Sequence, residues 1–475
     1  MMKINRILMA MTAMFAITAC KTSQNIAVKN EVKVPLTFEQ KASDSATVAK
    51  LNWRKYFTDE VLVNLIDTAL KHNYDLQIAM QRIEMARAGM RYAKANLLPT
   101  VAARLSAGQT DYAKYTQEYA GNTTTFYDGN NIVPNPLNDF NIGLMASWEI
   151  DVWGKLRNQK KSAILNYLAG IEGKNLVVSN LVAEIAVTYY ELLALDNELQ
   201  IVKQTIQKQT EAFETVKLQK EVGKTNELAV QQFHAQLLNS LALERETMQK
   251  ITVNENKIHL LTGKFPTDII RNTEALFNAI PNDVQCGVPS QLLAFRPDIR
   301  QAERRLQATR CDIKAAKASF FPNINLSALV GLQSFRADYL FLFPASVGSS
   351  VLSGLMSPVF NRNAIRQQYN LSKANDIAAL NEYRKTTLNA FLEVSSELSN
   401  LENLKEIKRI KTEENEVLEN SVITSGELYR SGKAGYLEVL IAQQNSLQTK
   451  LQLIEVQKKQ QLSVVNIYRM LGGGW

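Results

Sequence analysis

Apolar residues along this chain keep two different rhythms, and the points where the rhythm changes divide it. No proline occurs from 137 to 265, and none from 359 to 475. Both stretches are rich in Gln, Glu, Lys, Leu and Ala, which lose little side-chain freedom in a helix, so both predict long helices. In the first, Val178, Val182, Ile185, Tyr189 and Leu192 are spaced 4, 3, 4 and 3 apart, the narrow seam of coiled-coil-like packing. Nothing interrupts the helical pattern from Lys155 to Val222, which at ~1.5 Å per residue predicts an element on the order of 100 Å long. An ordinary soluble domain has no use for such a helix. Between Pro99 and Trp153 the rhythm shortens to two. Phe140, Ile142, Leu144, Ala146 and Trp148 alternate with Asn141, Gly143, Met145 and Ser147, while Val101, Ala103 and Leu105 alternate with Ala102, Arg104 and Ser106. These are strands with one apolar face, joined by a loop that contains Tyr112, Tyr115, Tyr119 and Tyr127. A second pair is predicted from Ile324, Leu326 and Ala328, alternating with Asn323, Asn325 and Ser327, and from a return strand near Val347 to Pro358. Strands of roughly ten residues have the length that crosses an outer membrane; an exposed hairpin in a soluble α+β protein is the plainer alternative.

The punctuation is duplicated. Asp75, Ala79, Arg82, Ala93, Lys94, Ala95 and Pro99 recur 223 positions later as Asp298, Ala302, Arg305, Ala316, Lys317, Ala318 and Pro322. Gly223-Lys224 and Gly263 recur 209 positions later as Gly432-Lys433 and Gly472. A unit of about two hundred residues is too long for a solenoid repeat and reads as one half of a symmetric body. The boundaries predicted are a leader at 1–19, a tail at 20–58, a first repeat at 59–263 with its hairpin at about 100–152, a linker at 264–290, and a second repeat at 291–472 with its hairpin at about 323–358.

The N-terminus bears on location. Lys3 and Arg6 precede an apolar stretch from Ile7 to Ile17 that ends in Ile17-Thr18-Ala19-Cys20. This describes a secretory signal peptide, and the last four residues resemble a bacterial lipobox, after which Cys20 is lipidated and begins the mature chain. No later window holds about eighteen uninterrupted apolar residues, so any membrane crossing is expected to be by strands. Four strands cannot cross alone, because their two edges would expose unpaired backbone groups to hydrocarbon. Closed membrane barrels need about eight strands or more, so several copies must pool their hairpins.

Val288-Pro289-Ser290-Gln291-Leu292-Leu293, then Arg296-Pro297-Asp298-Ile299-Arg300-Gln301-Ala302-Glu303 and Phe320-Phe321-Pro322, resemble the signature of the TolC-type outer membrane efflux factors. The OprM-like lipoprotein branch that serves resistance-nodulation-division (RND) pumps is the nearest likeness, and it runs from about Asp59 to Gly472. The resemblance implies a mainly α protein with membrane β structure. Its homotrimer would form a twelve-stranded outer membrane β-barrel continuous with a twelve-helix periplasmic α-barrel. The implied function is the outer membrane channel of a tripartite efflux pump, a passive exit duct for drugs or other small molecules. Its implied partners are a periplasmic adaptor (membrane fusion protein), an inner membrane RND transporter and outer membrane lipid. A type I protein or peptide secretion channel is the alternative. A lipoprotein adaptor with one coiled-coil hairpin fits poorly, because this chain has two hairpins.

By the same resemblance, the turns at Gly223 and Gly432 form a periplasmic gate, to which Tyr429 and the stretch Tyr436 to Gln443 belong. Glu438 sits where an acidic residue often faces the axis, and three like charges around a pore attract cations. A carboxylate in the first turn of a helix also stabilises that helix without any gate role. The chain departs from the family at Ile441, where an aspartate is common, at Ala434, where some members carry a basic residue, and at Ala229, where an aspartate is frequent. A ring of Ile441 side chains would close a pore by excluding water.

Nothing points to catalysis. His72, His234 and His259 lie on separate helical segments and read as helix-surface residues; Met80, Met85 and Met90 have helical spacing and read as core packing rather than chelation. Neither a metal nor an organic cofactor is expected. Cys286 and Cys311 would meet an oxidising compartment, where a disulfide between them and a pair of separate thiols both remain open. The formal charge of +8 is spread through mixed-sign helices, which gives no footprint for nucleic acid.

Overall fold

A computed structural model describes Pro35, Phe38 and residues 47–277, 287–357 and 360–475. Cys20, Cys286 and Pro358-Val359 lie outside the described residues. Helices longer than eight residues are numbered here. The first half runs α1 (Glu60–His72), α2 (Tyr74–Ala95), β1 (Thr100–Thr110), β2 (Leu137–Ile150), α3 (Lys155–Glu221) and α4 (Glu227–Thr262); the second runs α5 (Pro297–Ala318), β3 (Asn323–Ser334), β4 (Val347–Met356), α6 (Ala364–Arg430) and α7 (Tyr436–Met470).

The two longest helices have 67 residues each, on the order of 100 Å. Both start after a residue in the left-handed region, Gly154 and Asn363, which are again 209 positions apart. The predicted seam is the core. Val178, Val182, Ile185, Tyr189 and Leu192 are all buried, and α1, α6 and α7 supply half of the cluster that surrounds α3. Among the described residues only α3 contains a stretch long and apolar enough to cross a membrane, but 61% of that stretch is buried within the protein, so its apolarity belongs to the core.

The four strands form one antiparallel sheet in the order β1-β2-β3-β4. The register aligns Val101 with Ala146, Ala146 with Ala328 and Ala328 with Val351; two rows further along the same face, Leu105, Ile142, Leu332 and Val347 align. One face is therefore a largely apolar band, interrupted on β4 by Ser349, which lies in the row of Ala103, Leu144 and Val330. On the other face Ser106, Asn141 and Gln333 form one row, and Thr100, Ser147 and Ser327 another. Band residues such as Val101, Leu105, Leu144, Val330 and Val351 are exposed in the single chain.

Backbone packing explains the outer pair of repeated glycines. Gly263 and Gly472 end α4 and the chain's last helical turn with φ of 65° and 95°. A Cβ on Gly263 would lie 2.5 Å from the carbonyl oxygen of His72, and one on Gly472 2.5 Å from that of Phe295. His72 and Phe295 are themselves 223 positions apart. Each half thus seats the end of its last helix on the backbone beside its first.

Three expectations change. The described part of 20–58 is not a free tail, because Phe38, Trp53 and Phe57 are core residues, with Phe38 stacked on Phe391 at 5.5 Å and Tyr56 on Tyr468 at 4.1 Å. His259 is buried rather than on a helix surface, and its Nε2 accepts the Thr267 N–H at 3.3 Å; the segment after α4 folds back over it. Met80 and Met85 are 53% and 66% exposed, so they are not core. They occupy the side of α2 turned away from α3, and a single chain covers only one side of that helix.

Candidate functional site

The elements that reach farthest from the sheet are the turns between α3 and α4 and between α6 and α7. Gly223 and Gly432 have φ of 73° and 70°. At each, the following lysine N–H reaches back five residues, Lys224 to the Gln219 carbonyl at 2.8 Å and Lys433 to the Leu428 carbonyl at 2.9 Å. This is a Schellman-type closure, which requires a left-handed residue. The helices that follow start differently. In the first half the Asn226 side chain accepts the Ala229 N–H at 2.9 Å. In the second, Gly435 has no capping side chain, and the Glu438 carboxylate folds back over it, with Oε2 2.9 Å from where a Gly435 Cβ would be. That placement is the one the helix dipole favours for an anion.

The two tips are joined. The Tyr429 hydroxyl on α6 donates to Gln219 Oε1 on α3 at 2.7 Å. Beneath it Val216, Ala229, Phe233 and Leu440 form a small core shared by α3, α4 and α7, with Tyr436 packed against it. Ala229 is fully buried, so a charged side chain there would be forced into apolar contact. Leu437 and Ile441, one turn apart on α7, are 52% and 49% exposed. Lys220 and Glu227 form an exposed ion pair across the first tip, and His234 stacks on Phe213 at 4.9 Å. The structure therefore gathers Tyr429, Gly432, Glu438, Ile441 and Gly223 at one end of the molecule. Gln219 was not foreseen, since its counterpart 209 positions on is Leu428 and the repeat carries no signal for it.

At the other end, Trp153 and Phe321 stack at 4.8 Å where helices meet strands, and Trp153 Nε1 donates to the Pro322 carbonyl at 2.8 Å. Exposed aromatics bordering an apolar band mark a membrane interface. Beyond the strands the two outer loops are tied together. Arg336 donates to the Tyr127 hydroxyl at 2.9 Å and is held by Asp338 at 2.7 Å, while Phe335 and Tyr339 meet the Tyr127 ring edge-on.

The signature Arg296-Pro297-Asp298 has a structural task. Arg296, 7% exposed, donates to Asp298 at 2.7 Å, to Glu393 at 3.0 Å and to the Met470 carbonyl at 3.0 Å, which joins α5, α6 and α7. Burial works against its charge, but the two carboxylates outweigh it and hold the guanidinium above its ordinary pKa. Cys311 is a free, half-buried thiol on α5; the pairing considered with Cys286 lies outside the described residues. No cluster of His, Cys, Asp or Glu suited to a metal ion occurs among the described residues.

Two short hairpins edge to edge, carried on two 67-residue helices, define a protomer of a membrane channel that crosses lipid with strands and extends beyond it with helices. The sequence profile of the outer membrane efflux protein family matches residues 65–264 and 288–473. The chain belongs to this family, and it is an outer membrane efflux channel component. It is 29% identical over 423 residues to the solvent efflux pump outer membrane protein SrpC of Pseudomonas putida, covering 89% of this chain and 87% of that one. It is 28% identical over 426 residues to the cation efflux system protein CusC of Escherichia coli strain K12, covering 89% and 88%. The crystal structure of the Campylobacter jejuni CmeC outer membrane channel has the same fold, with a TM-score of 0.82 at 23% identity over 96% of this chain and 95% of that one.

Proposed function

We propose that three copies of this chain close into a twelve-stranded barrel and a twelve-helix cylinder. The result is a passive exit duct anchored by lipid at Cys20 and opened by a periplasmic adaptor and an inner membrane RND transporter. One observation carries the reading: β1 and β4 are the free edges of a sheet whose apolar band is exposed, and hydrocarbon tolerates no such edge. Partner copies pairing β4 with β1 satisfy every strand and turn the polar face inward. The helical tips then meet below the membrane, where the Tyr429–Gln219 bond and the apolar cluster around Ala229 hold the entrance shut. Glu438 and Ile441 border that entrance, and with Ile441 half exposed we assign closure to an apolar constriction rather than to a charged latch. The two repeats serve as two nearly equivalent staves of the cylinder. The test pairs Ala103→Cys on β1 with Val351→Cys on β4. Mild oxidation of the outer membrane fraction is expected to give crosslinked dimers and trimers, and single-cysteine controls are not. Monomers alone, at any pairing of β1 and β4 positions, would reject closure between copies.

A further inference from the structure

Arg104 is the one cation in the four strands, whose only other charged residues are Asp139 and Glu149. It lies in the middle of β1, on the face opposite the apolar band. Its row across the sheet consists of Gly143, Gly331 and Gly348, so no side chain stands beside it on its own sheet. It is exposed and makes no hydrogen bond or ion pair with any described residue.

The two acids are elsewhere and occupied. Asp139, four residues up β2 from Gly143 and thus ~13 Å away, accepts from Gln333 at 2.8 Å. Glu149, six residues down and ~20 Å away, pairs with Lys155 at 3.0 Å. Both distances exceed the Debye length of ~10 Å at 0.1 M salt. Closing the barrel does not change this, because β4 has no acidic residue and no register of β4 against β1 can bring a strand carboxylate to Arg104.

We propose that Arg104 is a charge-selectivity residue of the duct, forming a threefold ring of uncompensated positive charge midway through the membrane section that favours anionic solutes over cations. The inference rests on the trimeric barrel proposed above. By Coulomb's law, three unit charges ~8 Å from the axis in screened water enrich a monovalent anion roughly threefold and deplete a cation by the same factor. The glycine row leaves the arginines free to reach the stream, and Ser106 and Asn141 in the adjacent row of that face make no hydrogen bond to Arg104.

The test measures reversal potentials of the purified trimer in planar bilayers under a tenfold KCl gradient. Wild type and Arg104→Lys are expected to prefer chloride over potassium several-fold, Arg104→Gln to lose most of that preference, and Arg104→Glu to reverse it. A chloride-to-potassium permeability ratio that is the same in wild type, Arg104→Gln and Arg104→Glu overturns the proposal while leaving the channel reading intact. A wild-type protein that forms no trimer and carries no current overturns both. Heat-dissociable trimers of each variant on gels separate a lost preference from a lost fold.

Discussion

Replacing Tyr429 with Phe removes one hydroxyl and keeps the ring. That hydroxyl makes the 2.7 Å bond to Gln219 that ties α6 to α3 at the tips. An intramolecular hydrogen bond of this kind is worth about 1 kcal/mol net. Three copies around a closed entrance sum to about 3 kcal/mol, and at about 1.4 kcal/mol per factor of ten the open population rises on the order of a hundredfold. Single-channel recording in planar bilayers reads this directly, as longer or more frequent open dwell times at unchanged open conductance. Gln219→Leu is expected to do the same. The double variant should add little to either single change, since both remove the same bond. The reasoning fails if Tyr429→Phe gates like wild type, or if the two effects are fully additive; in either case the bond is incidental to closure.

Gly472→Ala is expected to lower the thermal midpoint and the yield of trimer, at a cost of about 1–3 kcal/mol for a non-glycine residue in the left-handed region, because the new Cβ meets the Phe295 carbonyl at 2.5 Å. Gly89→Ala on α2, whose Cβ meets nothing, should be neutral or slightly stabilising. Arg296→Met leaves Asp298 and Glu393 without their cation and the Met470 carbonyl without its donor. With Glu393 42% exposed, the loss should fall near the lower end of about 3–5 kcal/mol, and Arg296→Lys should recover little because it cannot make the paired contact; denaturant titration measures both. Burial raises the Asp312 pKa, against a hydrogen bond from Ser162 that lowers it. A raised folded pKa means that the ionised carboxylate weakens the fold at neutral pH and that the penalty fades as pH falls through the folded pKa. Asp312→Asn is therefore expected to raise the melting temperature at pH 7, and the gain should shrink at a pH below the ordinary carboxylate range; an equal gain at both contradicts the sign. Cys20→Ala should abolish palmitate labelling while leaving barrel insertion intact, since one acyl chain adds affinity and spans nothing.

Much of this architecture is local and therefore legible in one dimension. Helix and strand periods are backbone geometry, so the seam from Val178 to Leu192 and the alternation from Phe140 to Trp148 identified their elements. The left-handed turns at Gly223 and Gly432 were visible because few other residues adopt that conformation without strain. What stayed hidden depends on which surfaces meet. No pattern along the chain reveals that Gln219 faces Tyr429 across 210 residues, that the strand around Leu326 pairs with the one around Trp148, or that His259 is covered by the segment after it. Nor does alternation reveal that Arg104 shares its row with three glycines, because a row across a sheet exists only once the strands are in register. Sequence determined the period, length and duplication of the elements, since those follow from each residue's own conformational preferences. Tertiary structure alone decided the tip contacts, the faces of the sheet and the isolation of its one arginine, since those follow from pairing segments that are distant along the chain.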